Sequence, residues 1–290
     1  MFKGSLVPIV TPFKNGKIDE KGFRKLIEFH IKSGTDGIIP CGTTGESATL
    51  SHKEHEQLID TCLETVNRRI PVIAGTGSNS TAEAIKLTRY AQKAGADGVL
   101  LITPYYNRPT QDGLYRHYQA IADTITIPLI LYNVPSRTGV NLLPETVAKL
   151  SEIPHIVGIK EATGSLRQIC DIIHLAGEHF YVFSGDDFTN YPILAVGGKG
   201  IISVTANIVP EKVAALWDAF ESGKYTTARD IHYQLLDLND AMFLETNPIP
   251  VKTALGLMKK ISPELRMPLS PMSKNNVEKL KKVMAKYKLI

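Results

Sequence analysis

Short, nearly continuous apolar runs alternate along the chain with longer stretches in which apolar positions recur every three or four residues. Eight of the runs read as strands: GSLVPIV (4–10), DGIIPCG (36–42), PVIAGTG (71–77), DGVLLIT (97–103), PLILYNV (128–134), HIVGIK (155–160), YVFSGD (181–186) and GIISVT (200–205). Strands this apolar throughout are expected in a parallel sheet covered on both faces. The intervening stretches have helical spacing. In 20–34, Phe23, Leu26, Ile27 and Ile31 fall on one stripe. The stretch 81–95 ends on Gly95, the residue favoured just past a helix.

Part of the pattern repeats. SGTDGIIPCGT and AGADGVLLITP are near copies, and GGKGIISVTA is a weaker third. Eight strands with helices between them predict an α/β fold, a (β/α)8 TIM barrel over residues 1–224. A doubly wound open sheet is the alternative, weakened because no G-x-G-x-x-G follows any strand. After residue 210 the strand signal stops, and 211–222, 225–244, 249–260 and 274–288 read as helices. Residues 225–290 are expected to form a helical appendage rather than an independent domain. In the terminal KLKKVMAKYK, Leu280, Val283, Met284 and Tyr287 share a face, which leaves the lysines to solvent.

Composition narrows the classes. The 290 residues are 43% hydrophobic and 21% charged, as in an ordinary globular protein. A net charge of +4 is too slight to argue for nucleic acid. No apolar run approaches the length of a membrane span, and the start MFKGSLVPIVTPF lacks the features of a secretion signal. Cys41, Cys62 and Cys170 are scattered and fit neither a disulfide framework nor a zinc site, so reduced thiols in a cytoplasmic protein are expected. His52 and His55 stand three apart in SHKEHEQL, which is not H-E-x-x-H. They are expected to be solvated helix positions, and no metal site is expected.

In such barrels the active site lies at the C-terminal ends of the strands. Those ends carry Thr43-Thr44-Gly45-Glu46, Tyr105-Tyr106-Asn107, Tyr132-Asn133, Arg137, Lys160-Glu161 and Ser184-Gly185-Asp186. All are expected to converge on one mouth. Lys160 stands out, because a lysine is rarely buried without a partner or a task. By strand alternation Ile156, Gly158 and Lys160 should share a face, with Gly158 leaving room below the lysine stem. A desolvated lysine has a lowered pKa, and its neutral amine can attack a carbonyl to form a Schiff base. The plainer reading is a salt bridge, for instance to Glu161. Tyr132 and Thr44 could move protons for Schiff-base chemistry, although Tyr132 could equally cap its strand with its ring. GTTGES (42–47) lacks the Lys-Ser/Thr of a phosphate loop, but its backbone N–H groups and hydroxyls suit a carboxylate. Arg137 offers a two-pronged grip on a second carboxylate.

GTTGES, PYYNRP, YNVPSRTG, GIKEATG, SGDD and LETNPIPVK (244–252) together resemble the 4-hydroxy-tetrahydrodipicolinate synthase (dihydrodipicolinate synthase) family, over essentially the whole chain. The resemblance implies an enzyme that condenses pyruvate with L-aspartate 4-semialdehyde in the diaminopimelate route of lysine biosynthesis. Lys160 would form the imine. Thr44, Tyr132 and Tyr106 would relay protons, with Tyr106 coming from a neighbouring subunit of a homotetramer. Thr43 and Thr44 would hold the pyruvate carboxylate, Arg137 the semialdehyde carboxylate, and Gly185 and Ile202 would shape the pyruvate site. No cofactor is implied, because the lysine is itself the electron sink. In lysine-inhibited members of the family, a pocket corresponding to Ser47, Ala48, Leu50, His52, His55, Asn79, Glu83 and Tyr105 binds L-lysine. Two alternatives remain. One is a related pyruvate aldolase such as N-acetylneuraminate lyase or a 2-keto-3-deoxy sugar acid aldolase. The other is a barrel kept as a binding protein, which should show damage among these residues.

Overall fold

In a computed structural model, which describes residues 2–290, each predicted strand window contains a parallel strand. These are β1 (Gly4–Pro8), β2 (Gly37–Ile39), β3 (Ile73–Gly75), β4 (Gly98–Ile102), β5 (Leu129–Asn133), β6 (Ile156–Glu161), β7 (Tyr181–Ser184) and β8 (Gly200–Ile202). They neighbour one another in the order β2-β1-β8-β7-β6-β5-β4-β3. A parallel bridge between Ile38 and Val72 joins the two ends and closes the TIM barrel. Except for β6, which runs one residue past its window to Glu161, the strands are shorter than the sequence windows. In 36–42, Pro40 has no N–H to offer a ladder and Cys41 turns into the left-handed region at φ 58°.

The repeated Asp-Gly has a local cause. Asp36 accepts a hydrogen bond from the Ser5 amide at 2.7 Å, and Asp97 accepts one from the Val72 amide at 2.8 Å. Each aspartate thus satisfies a backbone N–H on the neighbouring chain segment at the N-terminal rim of the barrel. The glycine that follows lets another chain segment close in. A Cβ on Gly37 would lie 2.7 Å from the Leu6 side chain, and one on Gly98 2.7 Å from the Phe2 ring.

Apolar side chains divide into two bodies. Leu6, Ile39, Ile73, Leu100, Ile130 and Phe183 fill the barrel interior. Ile38, Val72, Val99, Leu131 and Ile159 point outward into the layer shared with the helices. A bulge modifies one expectation. Leu129 pairs with Ile156 but Ile130 pairs with Gly158, so Val157 is the extra residue. Ile156 therefore joins Ile159 in the outer layer and does not share the face of Lys160. A two-stranded hairpin, Phe13–Lys14 with Lys17–Ile18, was not among the expected elements. Its signal was present as Asn15-Gly16, both at positive φ, the pair that favours a tight two-residue turn.

Helix Pro210–Glu221 follows β8 and packs on β1, completing the barrel's outer ring. Helices Tyr225–Ala241, Ile249–Leu257 and Lys274–Lys286 come next. Leu280 and Met284 of the last one are fully buried, as its stripe predicted. Among the described residues no helix is long and apolar enough to cross a membrane.

One buried ion pair ties this C-terminal part to the barrel mouth. Lys252 Nζ donates to Glu46 Oε1 at 2.5 Å, with both side chains essentially inaccessible to water. The Arg266 backbone N–H donates to the other Glu46 oxygen at 3.0 Å. Arg266 also reaches the Thr49 carbonyl and Glu54. Glu46 itself sits at φ 55°, a conformation disfavoured for a non-glycine residue and held here by these partners. Removing one member of a buried pair strands the other charge. Lys252→Met should therefore cost about 3–5 kcal/mol in denaturant unfolding. Adding Glu46→Gln to it should recover part of that loss, because no buried charge is then left unpaired.

Candidate active site

Tyr132 and Lys160 are register partners on β5 and β6, and so are Asn133 and Glu161 one step further on. Side chains alternate along a strand, so the first pair faces the barrel mouth and the second faces the helices. Glu161 does not pair with Lys160. Its carboxylate is buried against Asn133 Nδ2 at 3.1 Å, the Thr163 amide at 2.9 Å and Gln168 Nε2 at 3.2 Å. The salt-bridge reading of Lys160 is thus overturned by the pleat of the strand.

Lys160 is 5% exposed and has no acidic partner within salt-bridge distance among the described residues. Its Nζ stands 4.2 Å from the centre of the Tyr132 ring. Burial pushes its pKa down from 10.5 to about 7; Asp187 opposes the shift and the Arg137 charge adds to it. Near neutrality a large share of the amine is therefore unprotonated and nucleophilic. Gly185 makes room for the stem, since a Cβ there would lie 2.9 Å from Lys160 Cγ. Gly158 has a different task. A Cβ on it would meet the Tyr181 carbonyl oxygen at 2.4 Å, so it allows β7 to approach.

A cavity of about 850 Å³ opens above the amine, and Thr43, Thr44, Tyr132, Arg137, Gly185 and Asp186 are in its wall. Burial raises the pKa of the Tyr132 hydroxyl, with Arg137 and Thr43 pulling the other way, so the hydroxyl stays protonated at neutral pH. The turn after β2 is held by hydrogen bonds from the amides of Gly45, Glu46 and Ser47, while those of Thr43 and Thr44 have no protein acceptor among the described residues. Two free N–H groups beside two hydroxyls suit a carboxylate. Arg137, on the short helix Pro135–Thr138, donates one N–H to the Asn247 carbonyl at 3.0 Å and forms no ion pair among the described residues. Ile202 lies below the cavity in the barrel interior; Val204 is the β8-side residue in the wall.

Convergence on one mouth holds for these residues but not for those after β4. Tyr106 is 91% exposed at φ 73° and lies outside the cavity. Asn107 instead donates to the Asn79 carbonyl at 2.9 Å. Tyr105 borders a second cavity of about 410 Å³, together with Ser47, Ala48, Leu50, His52, His55 and Glu83. Asn79 stands behind it and donates to the Tyr105 carbonyl at 3.2 Å. His52 Nε2 is 2.7 Å from Glu83 Oε1. His55 is not solvated as expected: it is buried, hydrogen-bonded to the Gly75 carbonyl at 2.8 Å, and burial lowers its pKa. Among the described residues no group of three His, Cys, Asp or Glu side chains is placed to hold a metal ion.

Asn247 was missed by sequence reasoning. Its Nδ2 donates to Thr44 Oγ1 at 3.0 Å, and its backbone carbonyl anchors Arg137. The residue lies within LETNPIPVK, some 200 positions from Thr44, and no local pattern gives it a role.

A closed parallel barrel with an unpaired lysine amine at a strand's C-terminal end, ringed by hydroxyls and a free guanidinium, defines a Schiff-base-forming lyase or synthase. The chain belongs to the dihydrodipicolinate synthetase family, whose profile matches residues 1–287. It is 63% identical over 290 residues to the 4-hydroxy-tetrahydrodipicolinate synthase of Thermodesulfovibrio yellowstonii, with both chains fully covered. The dihydrodipicolinate synthase of Acinetobacter baumannii, solved complexed with pyruvate, superimposes with a TM-score of 0.98 at 46% identity and full coverage of both chains. That of Cyanidioschyzon merolae, solved with lysine bound, gives a TM-score of 0.97 at 38% identity, covering 100% of this chain and 99% of the other.

The depressed amine pKa lowers stability. Between about 7 and 10.5 the unfolded chain holds a proton on Lys160 that the folded state does not. Stability therefore rises with pH across that window, and the penalty is greatest at and below about pH 7. Lys160→Met should stabilise the protein at pH 7 by a few kcal/mol, since each tenfold loss of proton affinity corresponds to about 1.4 kcal/mol. The gain should shrink as the pH of the unfolding measurement is raised towards 10.

Proposed function

We propose that this protein condenses pyruvate with L-aspartate 4-semialdehyde through an imine on Lys160, giving 4-hydroxy-tetrahydrodipicolinate. The observation that carries the reading is the unpaired, desolvated Lys160 amine, with Tyr132 and Arg137 facing the same cavity. The free amides and hydroxyls of Thr43 and Thr44 hold the pyruvate carboxylate. The neutral amine attacks the ketone carbon, and the carbonyl oxygen leaves as water after two proton transfers. The iminium acidifies the methyl group, the hydroxyl relay takes up one of its protons, and the resulting enamine carbon attacks the aldehyde, whose oxygen gains a proton. Arg137 holds the carboxylate of the aldehyde substrate. The substrate's ammonium finally gives up a proton, and its nitrogen adds to the iminium carbon, closing the ring and releasing Lys160 as the amine.

Protons pass through Tyr132 and Thr44, whose hydroxyl Asn247 orients. Tyr106 lies outside the cavity of its own chain, and a second copy is proposed to contribute it within a homotetramer. The helices of 225–290 act as a buttress of the catalytic mouth rather than a separate domain. Borohydride added with pyruvate should leave a reduced adduct on Lys160, found by peptide mapping. Its rate of formation should rise as pH passes through about 7 and then level off. Folded protein without this adduct would overturn the reading.

The second cavity is proposed to bind L-lysine as a feedback inhibitor. Glu83 would take the α-ammonium in exchange for His52, and the Tyr105 side chain would bind the carboxylate. Thr43, Tyr132, Arg137 and Asn247 line both cavities, so a ligand in one presses on the wall of the other. Millimolar L-lysine should lower the rate, and Glu83→Ala should abolish that effect while leaving the uninhibited rate within about twofold, since Glu83 is outside the catalytic cavity.

A further inference from the structure

The aldehyde in the proposed reaction carries an ammonium on the same carbon as the carboxylate that Arg137 grips, and that charge must be received as water is excluded. Four carboxylates line the catalytic cavity: Asp186, Asp187, Asp240 and Glu245. Two are already committed. Asp187 is buried and takes the Val204 and Thr205 amides at 2.9 and 3.0 Å and Asn190 Nδ2 at 3.1 Å. Glu245 is pinned at the start of helix Lys274–Lys286, where its Oε1 alone takes the Ser273 amide and hydroxyl and Asn276 Nδ2. Asp240 is solvent-exposed on its helix. Asp186 is different. It is half-buried, one oxygen accepts the Phe188 amide at 3.2 Å, and the other has no donor among the described residues.

Its position also fits. Asp186 directly follows Gly185, which abuts the Lys160 stem, and it shares the cavity wall with Arg137. A carboxylate partly withdrawn from water, with no cation bound and with Asp187 and Asp240 nearby, sits in a site that favours an added positive charge. Resting on the proposed reaction, we propose that Asp186 receives the ammonium of the amino-aldehyde and thereby selects it over aldehydes that carry only the carboxylate. Arg137 and Asp186 then hold the two charges of one carbon, which fixes the aldehyde end towards the lysine.

The test compares two ligands that differ only in that ammonium. KM for L-aspartate 4-semialdehyde and Ki for 4-oxobutanoate, its des-amino analogue, are measured in wild type and in Asp186→Asn. The asparagine keeps an oxygen for the Phe188 amide and removes the charge. KM should rise about 10- to 100-fold, as for a lost hydrogen bond to a charged group, with Ki unchanged. Equal changes in KM and Ki, or no change in KM, would overturn the proposal. So would loss of the borohydride adduct on Lys160 in this variant, which would place Asp186 with the lysine instead. Arg137→Ala serves as the separate check on the underlying reading. It should raise KM and Ki together; if it moves neither, the carboxylate assignment fails whatever Asp186 does.

Discussion

An amine can stay uncharged at neutral pH only where the loss of water outweighs the pull of nearby acids and no acid pairs with it, and the mouth of this barrel meets that condition at Lys160. Among the described residues two lysines are buried, with opposite solutions. Lys252 sits against Glu46 and keeps its charge partner at 2.5 Å. Lys160 lies against the face of Tyr132 without an ion-pair partner, and burial drives its pKa to about 7 against the pull of Asp187. The same side chain is a paired structural clamp in one setting and an unpaired amine of lowered pKa in the other. The difference lies wholly in what the fold places within a few ångströms.

The pleat of two strands enforces the separation. Tyr132 and Lys160 face the cavity because they are in register, and Asn133 and Glu161 face the helices for the same reason. The bulge at Val157 lies just before this point. Without it, Ile130 would pair with Val157 and the register of Lys160 against Tyr132 would slip by one residue. Glu161, the acid next to Lys160 in sequence, is held on the far side by Asn133, Thr163 and Gln168.

The C-terminal segment completes the site from a distance. Asn247 orients Thr44, Lys252 neutralises Glu46, and Arg266 holds Thr49 and Glu54, so one stretch of chain fixes the whole turn after β2. That turn separates the two cavities and lends Thr43 to both. The shared wall is the physical link that the proposed regulation would use.

Much of this was legible in the residues themselves. Eight apolar runs gave eight strands, and their periodicity against the helical stretches gave the barrel, because a strand covered on both faces has no polar side to show. Lys160, Tyr132, Thr44 and Arg137 stood out as polar residues at strand ends, where this architecture collects chemistry. The Asn15-Gly16 hairpin was equally local and could have been read. Other features depended on residues far apart in the chain. Gly185 rather than Gly158 makes room for the lysine, Glu161 turns away, Ile156 moves to the outer layer, Tyr106 points out of its own cavity, and Asn247 meets Thr44. Each of these depends on strand register or on contacts across much of the chain. Local pattern records which residues prefer to be buried or extended; it holds no record of which distant backbone will lie beside them, and here that neighbour decides charge, space and role.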